Sequence, residues 1–567
     1  MFSVIFLIVS SLITIKLFYP IYTAEEIIIP YGIHPFDICS KNPKLWHIFK
    51  ITYIFVFLFS NFVISNFIYV RIIFPVFNVF SNKKTKTSSK KSNITTHSKN
   101  YIDSLHLLVG FDESTNQNIY IPESGLYQNF LITGTIGSGK TSSVMYPFTR
   151  QLFEYNALHP NKKIGMLILD VKGNYYQQVQ KYAKKYRLED DLIIMQLNSN
   201  VFYNPLHKPD LKPQVLANRL KTILLLFSEN NTESFWLDKA EQILTECIKL
   251  CRLYNNGYVT FSELHNLILS PDYYQKKVKV LKDLFLSSKF TTNQIYDLNR
   301  SLDFFEREFQ NLDTRTKSIL ISEITRITNF FVNDFEVMST FCSSQNQLTF
   351  TGFSDIISLG KIVVLNMNIA EYSMLSRIIA TYLKLDFQSE ILSNLSKNIV
   401  RPTAFICDEY DKFASKTDSE FFSLSREAKC INIISTQSYS SLKTTLKDDS
   451  FVKVITQNLI NKIWFRTDDI FTIEEAQKQL GKEEKERISK SISESAKETK
   501  FSYITNTLNS DNSNISETFS RYTQNDFIFE SNFFTQNLET FTALTFLSDG
   551  NHIYPPKKLK MFPYFKE

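Results

Sequence analysis

Gly134-Thr135-Ile136-Gly137-Ser138-Gly139-Lys140-Thr141 carries the residue types and spacing of a phosphate-binding loop, G-x-x-x-x-G-K-[ST]. Glycines let successive backbone N–H groups turn into one hollow, where a Cβ would block the close approach of phosphate oxygens. Lys140 has the reach for β- and γ-phosphates, and the Thr141 hydroxyl is a suitable Mg²⁺ ligand. The chain has only 13 glycines in 567 residues, yet three fall within 134–139. The stretch is therefore read as a site for ATP with Mg²⁺.

Such a site needs a second half. Asp408-Glu409 ends an apolar run beginning at Ala404, as a Walker B element requires. Asp408 would hold Mg²⁺ through a water, and Glu409 would orient and deprotonate the attacking water. Asp170 also ends an apolar run and competes for the metal role. Two features favour the later pair: the adjacent glutamate supplies a base, and Lys172 stands where it would neutralise Asp170. Gln437 follows another apolar run, where a RecA-like ATPase places a γ-phosphate sensor. Arg426 precedes that run; an arginine there could stabilise transition-state charge in a neighbouring subunit, a role worth about 10³–10⁵ in rate.

The elements that must position these residues are legible as short apolar runs. Tyr127–Thr133 reads as a buried strand before the loop, and Thr141–Glu154 as the helix after it. That order sets the positive end of a helix against the phosphates. Further strands are expected at 164–170, 362–365, 404–409, 431–435 and 461–465. Most do not alternate, as expected of parallel strands covered on both faces. Residues 206–345 hold one glycine, Gly257, and follow helical periodicity. Trp236, Ala240, Ile243, Leu244, Cys247 and Cys251 mark one face there. Thr260 with Glu263, and Ser270 before Pro271, read as helix starts. Residues from Lys482 to about Gln524 are polar and read as a mobile connection. Apolar strand character returns from Phe541 to Phe565.

The net charge of +6 is unevenly placed. Residues 1–100 hold eleven basic and three acidic residues, leaving 52 basic against 54 acidic in the rest. Bulk charge thus gives no support for nucleic-acid binding by the body. Phe2–Ile15 is apolar, and Ile51–Val70 is uncharged over twenty residues. The second suffices to span a bilayer, and the first does if Lys16 snorkels. A cleaved signal peptide is the competing reading of the first, but it lacks a basic start and a small-residue cleavage site. Six lysines between 83 and 99 follow the second run, so the rest of the chain is expected in the cytoplasm. Six cysteines without a C-x-x-C pair argue against a disulfide framework or zinc ribbon.

The motifs form an ordered set: two N-terminal spans, the phosphate loop, Asp170-Val171-Lys172-Gly173, a helical insertion, Asp408-Glu409 and Ser435-Thr436-Gln437-Ser438. The set resembles the type IV secretion coupling proteins, the TraG/TraD-type conjugative DNA-transfer ATPases. The resemblance continues through 454–463, Thr472 to Gly481, and Pro555-Pro556 to Phe565. It implies an α/β RecA-like P-loop NTPase with an inserted all-α domain and two N-terminal transmembrane helices. The expected order is a membrane anchor (1–80), a basic linker (81–100), a first ATPase part (101–205), the all-α domain (206–345) and a second ATPase part (346–567). It also implies a membrane-bound homo-hexamer that passes a relaxase with its single-stranded DNA to a secretion channel. Family members commonly have proline at the position of Val171 and an acid at that of Asn174. Two rivals stand beside this reading. A chromosome pump of the FtsK type usually carries a DNA-reading winged helix, for which the chain after Phe541 is too short. A receptor mainly for protein cargo is barely separated by sequence.

Overall fold

Apolar runs with no polar alternation demand cover on both faces, and the sheet of this protein obeys that demand. The computed structural model describes residues 104–227, 234–287, 290–395, 401–495, 500–502, 507–509 and 514–566, and six helical positions between Lys44 and Phe59. The chain divides into a unit of residues 1–93 and a unit of residues 94–567. In the first unit Ile51, Thr52, Phe55 and Phe59 are exposed helical positions. Both expected spans otherwise lie outside the described residues, among which no helix is long and apolar enough to cross a membrane.

In the second unit the strands are β1 (His106–Asp112), β2 (Gln117–Pro122), β3 (Phe130–Thr133), β4 (Gly165–Leu169) and β5 (Leu192–Met195). They continue with β6 (Ile362–Leu365), β7 (Thr403–Cys407), β8 (Cys430–Thr436) and β9 (Asn461–Trp464). After these come β10 (Lys482–Ser495), β11 (Lys500–Ser502), β12 (Thr507–Asn509), β13 (Asn514–Phe527), β14 (Thr542–Phe546) and β15 (Lys557–Lys560). Eleven of them form one sheet in the order β2-β1-β15-β14-β9-β3-β8-β7-β4-β6-β5. The seven from β9 to β5 are mutually parallel, and the pairings from β9 through β14, β15 and β1 to β2 are antiparallel.

Successive residues of one strand enter different cores. Met166, Ile168, Ile362 and Val364 pack on one face, with Phe148 and Leu152 of α1 (Tyr146–Leu158) and Val179 of α2 (Tyr175–Tyr186). Leu167, Leu169, Val363 and Leu365 pack on the other, in the same core as the helices between β5 and β6. The longer of these helices are α3 (Pro213–Phe227), α4 (Ser234–Tyr254), α5 (Phe261–Leu269), α6 (Pro271–Leu286), α7 (Thr292–Asp303) and α8 (Thr314–Val332). The Thr260 hydroxyl accepts from the Glu263 N–H and the Ser270 hydroxyl from the Tyr273 N–H, so both expected helix starts are capped. Cys247 and Cys251 are buried free thiols on the core side of α4.

A long helix, α9 (Ile369–Ser393), carries a buried polar knot on each side. Lys384 and Asp418 pair at 2.6 Å, both fully buried. The same ammonium donates to the carbonyl of Phe413, and Tyr410 and Gln388 donate to the Asp418 carboxylate. Two residues along α9, Asp386 accepts from Lys208, Arg219 and Tyr203. Burial pushes the Asp386 carboxyl up, but the two cations outweigh it and leave it below the ordinary carboxylate range.

One expectation fails. Within 482–524, read as a mobile connection, residues 482–495 form an antiparallel ribbon with 514–527, β10 pairing with β13 from Lys482↔Phe527 to Ser495↔Asn514. Its polar residues stabilise it across the strands: Arg487 pairs with Asp526 at 2.5 Å and Lys490 with Glu517 at 2.9 Å.

Lys462 on β9 is almost fully buried, and its ammonium donates to the carbonyls of Thr456 and Leu459 at the end of the helix Asp449–Asn458. Burial, with no carboxylate partner among the described residues, pulls it down to about 7, against about 10.4 in an unfolded chain. Between those values the unfolded chain holds a proton that the fold has released, so stability rises with pH. Denaturant midpoints of the parent should therefore gain on those of Lys462→Met from pH 7 to 9.5. The difference should approach about 1.4 kcal/mol per pH unit, and parallel profiles would contradict the assignment.

Candidate nucleotide-binding site

The loop after β3 turns on glycines in conformations closed to most residues, with φ of +77° at Gly137 and +106° at Gly139. The Ser138 hydroxyl donates to the Thr135 carbonyl at 2.8 Å, and the Ser143 hydroxyl to the Gly139 carbonyl at 2.7 Å. A π-turn, Thr141–Met145, leads into α1. β3 begins at Phe130, later than expected, because Asn129 turns the chain with φ of +61°. The Lys140 ammonium donates to the carbonyls of Gly134 and Thr135 at 2.5 and 3.2 Å. Burial pushes it below the usual lysine range, against the pull of the nearby Asp408 carboxylate.

Asp408 stands just beyond β7, two strands from the loop, with β8 between. The Thr141 hydroxyl donates to one of its carboxylate oxygens at 2.7 Å. The other accepts from the Ser435 hydroxyl of β8 and from the Glu409 N–H. The two halves expected from sequence are thus brought together. Glu409 is held at φ of +50°, a strained position for a residue with a side chain. Its carboxylate pairs with Lys172 at 2.8 Å.

That pairing corrects the expectation for Asp170. Lys172 makes its ion pair with Glu409 instead, and the Asp170 carboxylate accepts the backbone N–H groups of Lys172, Asn174 and Tyr175. It braces the loop entering α2, and burial followed by the nearby Asp408 pushes its carboxyl up. Asp170 is occupied with its own backbone, while Asp408 faces the phosphate loop.

Thr135, Ile136, Gly137, Gly139, Lys140, Thr141, Asp408, Glu409 and Gln437 all line one cleft of about 390 Å³, in the size range of small-molecule sites. The Gln437 carbonyl also accepts from the Gly134 N–H at 3.3 Å. Arg426 is exposed before the start of β8, at the strand's other end from Gln437, and its guanidinium touches the Gly550 carbonyl at 3.5 Å. It does not line the cleft of its own chain. Four lining residues were missed by the motifs: Ser142, Tyr146, Phe541 and Tyr564. The last two are about 400 positions from the loop, and nothing in their spacing announces them.

Thr141 and Asp408 offer hard oxygen donors side by side, a set that fits Mg²⁺. Residues 402–524 match the family model for the TraM recognition site of TraD and TraG. The match supports the resemblance to type IV coupling proteins over that segment.

The fold agrees. The chain is similar to the bacterial conjugative coupling protein TrwBdeltaN70 in an unbound form, with a TM-score of 0.53 and 15% identity, over 80% of this chain and 88% of that one. It is similar to TrwB with a non-hydrolysable GTP analogue at a TM-score of 0.51 and 14% identity, over 81% and 95%. A third similar structure, TrwB with ADP and Mg²⁺, has a TM-score of 0.52 and 14% identity, over 81% and 94%. No curated protein matches the sequence significantly.

A methyl group on Gly139 would lie 2.6 Å from the Phe541 ring, at a φ that alanine resists. Gly139→Ala should weaken binding of Mg²⁺–ATP by about tenfold or more while leaving the far-ultraviolet circular dichroism unchanged. Equal affinity in titration calorimetry would refute this view of the loop.

Proposed function

We propose that this chain is a membrane-anchored, ATP-driven coupling protein that receives a relaxase with its single-stranded DNA and pumps it to a type IV secretion channel. The observation that carries the ATPase part is the 2.7 Å contact between Thr141 and Asp408, which joins the phosphate loop to the acidic pair in one cleft. The conjugative part is supported by the matched segment 402–524 and by the shared TrwB fold. Anchoring is supported by the uncharged run 51–70 and by the exposure of Ile51, Phe55 and Phe59.

In this reading the backbone of residues 134–139 cradles the phosphates and Lys140 swings from the loop carbonyls to them. Thr141 and Asp408 would hold Mg²⁺, which neutralises phosphate charge. Ser435 keeps the Asp408 carboxylate turned toward Thr141. Glu409 orients a water and takes its proton; the water oxygen bonds to the γ-phosphorus as the bond to the bridging oxygen breaks. That bond's electron pair leaves with ADP. Most of the rate comes from positioning and charge stabilisation. Gln437 senses the γ-phosphate, and the exposed Arg426 serves the site of a neighbouring subunit in a homo-hexameric ring.

Glu409→Gln should lower turnover by about 10²–10⁴ and leave ATP affinity within a few fold, whereas Lys140→Ala should lose both. Phosphate release by the detergent-solubilised chain measures this. Single-stranded DNA should stimulate the parent; a parent that hydrolyses ATP but ignores DNA would move the reading to protein cargo.

A further inference from the structure

The lining of the nucleotide cleft is of two unlike kinds. Lys140, Thr141, Asp408 and Glu409 line it with polar groups, while Tyr146, Phe541 and Tyr564 bring three aromatic rings to the same space. These rings are fixed from outside the phosphate loop. Phe541 is held at φ of +64°, with its N–H donating to the Ser138 carbonyl at 3.1 Å and its carbonyl accepting from the Met561 N–H at 2.8 Å. Its ring lies so close over Gly139 that no side chain fits there. Tyr564 meets Tyr146 edge to face at 5.1 Å and Phe565 at 5.5 Å, and Phe565 in turn meets Phe541 at 5.8 Å.

The rings thus form a continuous row from α1 to the phosphate loop. Phe541 and Tyr564 are half-buried, unlike the fully buried aromatics of the two cores. A half-buried aromatic pair beside a phosphate cradle has no role in binding phosphate, whose oxygens need N–H groups and cations. Flat apolar faces instead suit a flat π-system, and stacking of a base on an aromatic ring tolerates any base because each has a π-face.

We propose that Phe541 and Tyr564 form the nucleobase subsite of this cleft, holding the base of a nucleoside triphosphate by stacking. The proposal rests on the nucleotide reading of the cleft and names what its aromatic lining binds. Stacking reads the face of the base and not its edge, so ATP and GTP should bind with similar affinity.

The test compares ATP, GTP and inorganic tripolyphosphate, each with Mg²⁺, by titration calorimetry on the full chain in detergent. Phe541→Leu and Tyr564→Leu keep bulk and remove the ring; each should weaken ATP and GTP by about tenfold and leave tripolyphosphate unchanged. Tyr564→Phe should retain parental affinity for all three. Unchanged ATP affinity in both leucine variants would overturn the proposal. So would an equal loss for tripolyphosphate, which would make the rings mere supports of the phosphate loop. A parent that binds tripolyphosphate and ATP equally well would also overturn the base subsite while leaving the phosphate site intact. A parent that binds none of the three would instead remove the nucleotide reading.

Discussion

The contact on which this structure turns is the hydrogen bond from the Thr141 hydroxyl to the Asp408 carboxylate, made between residues 267 positions apart. It requires β8 to run in parallel register between β3 and β7. Thr133 lies beside Thr436, and Cys407 beside Ile434, so the chain leaves all three strands at nearly the same level. Ser435 then stands within reach of Asp408 and turns it toward the loop. A one-residue slip of β8 would send Ser435 to the other face of the sheet and leave a buried carboxylate without its partner. The buried apolar residues on both faces of the central strands fix that register, so the core of the fold and the geometry of the site are one constraint.

A second constraint ties the helical block to the segment that follows the acidic pair. Lys384 and Asp418 are fully buried, so each charge is tolerable only because the other is present and hydrogen bonds saturate the pair. Phe413, Ser415 and Tyr410, which complete that knot, belong to the segment directly after Glu409. Asp386 makes a comparable knot with Lys208 and Arg219, at the entrance to the helical block. α9 therefore holds fast to the segment beyond the acidic pair at one place and to the helices at another, with both anchors in low dielectric.

The parts legible in the sequence are those written locally. The phosphate loop, the strand before Asp408 and the caps at Thr260 and Ser270 each lie within a few residues of one another, so spacing alone reveals them. The partner of Lys172 was misread because neighbours in sequence looked like neighbours in charge. In the fold, backbone N–H groups claim Asp170 first and leave Lys172 to Glu409. Phe541 and Tyr564 reach the cleft through β14 and β15, an antiparallel return that no local pattern encodes. The ribbon of β10 and β13 escaped for a third reason: cross-strand ion pairs, scored along one strand, look like the polar composition of a linker.

That ribbon has a consequence of its own. Fourteen rungs long and paired on one side only among the described residues, it offers outer N–H and C=O groups along both margins. An apolar strand of that length would recruit any passing strand. Here Lys482, Glu483, Glu484, Lys485, Glu486 and Arg487 crowd the first six positions of β10. Stacking a further chain against them would bring like charges together and strip their water. The same residues that disguise the segment as unstructured therefore act as its guard, keeping an open strip of sheet from becoming the seed of an aggregate.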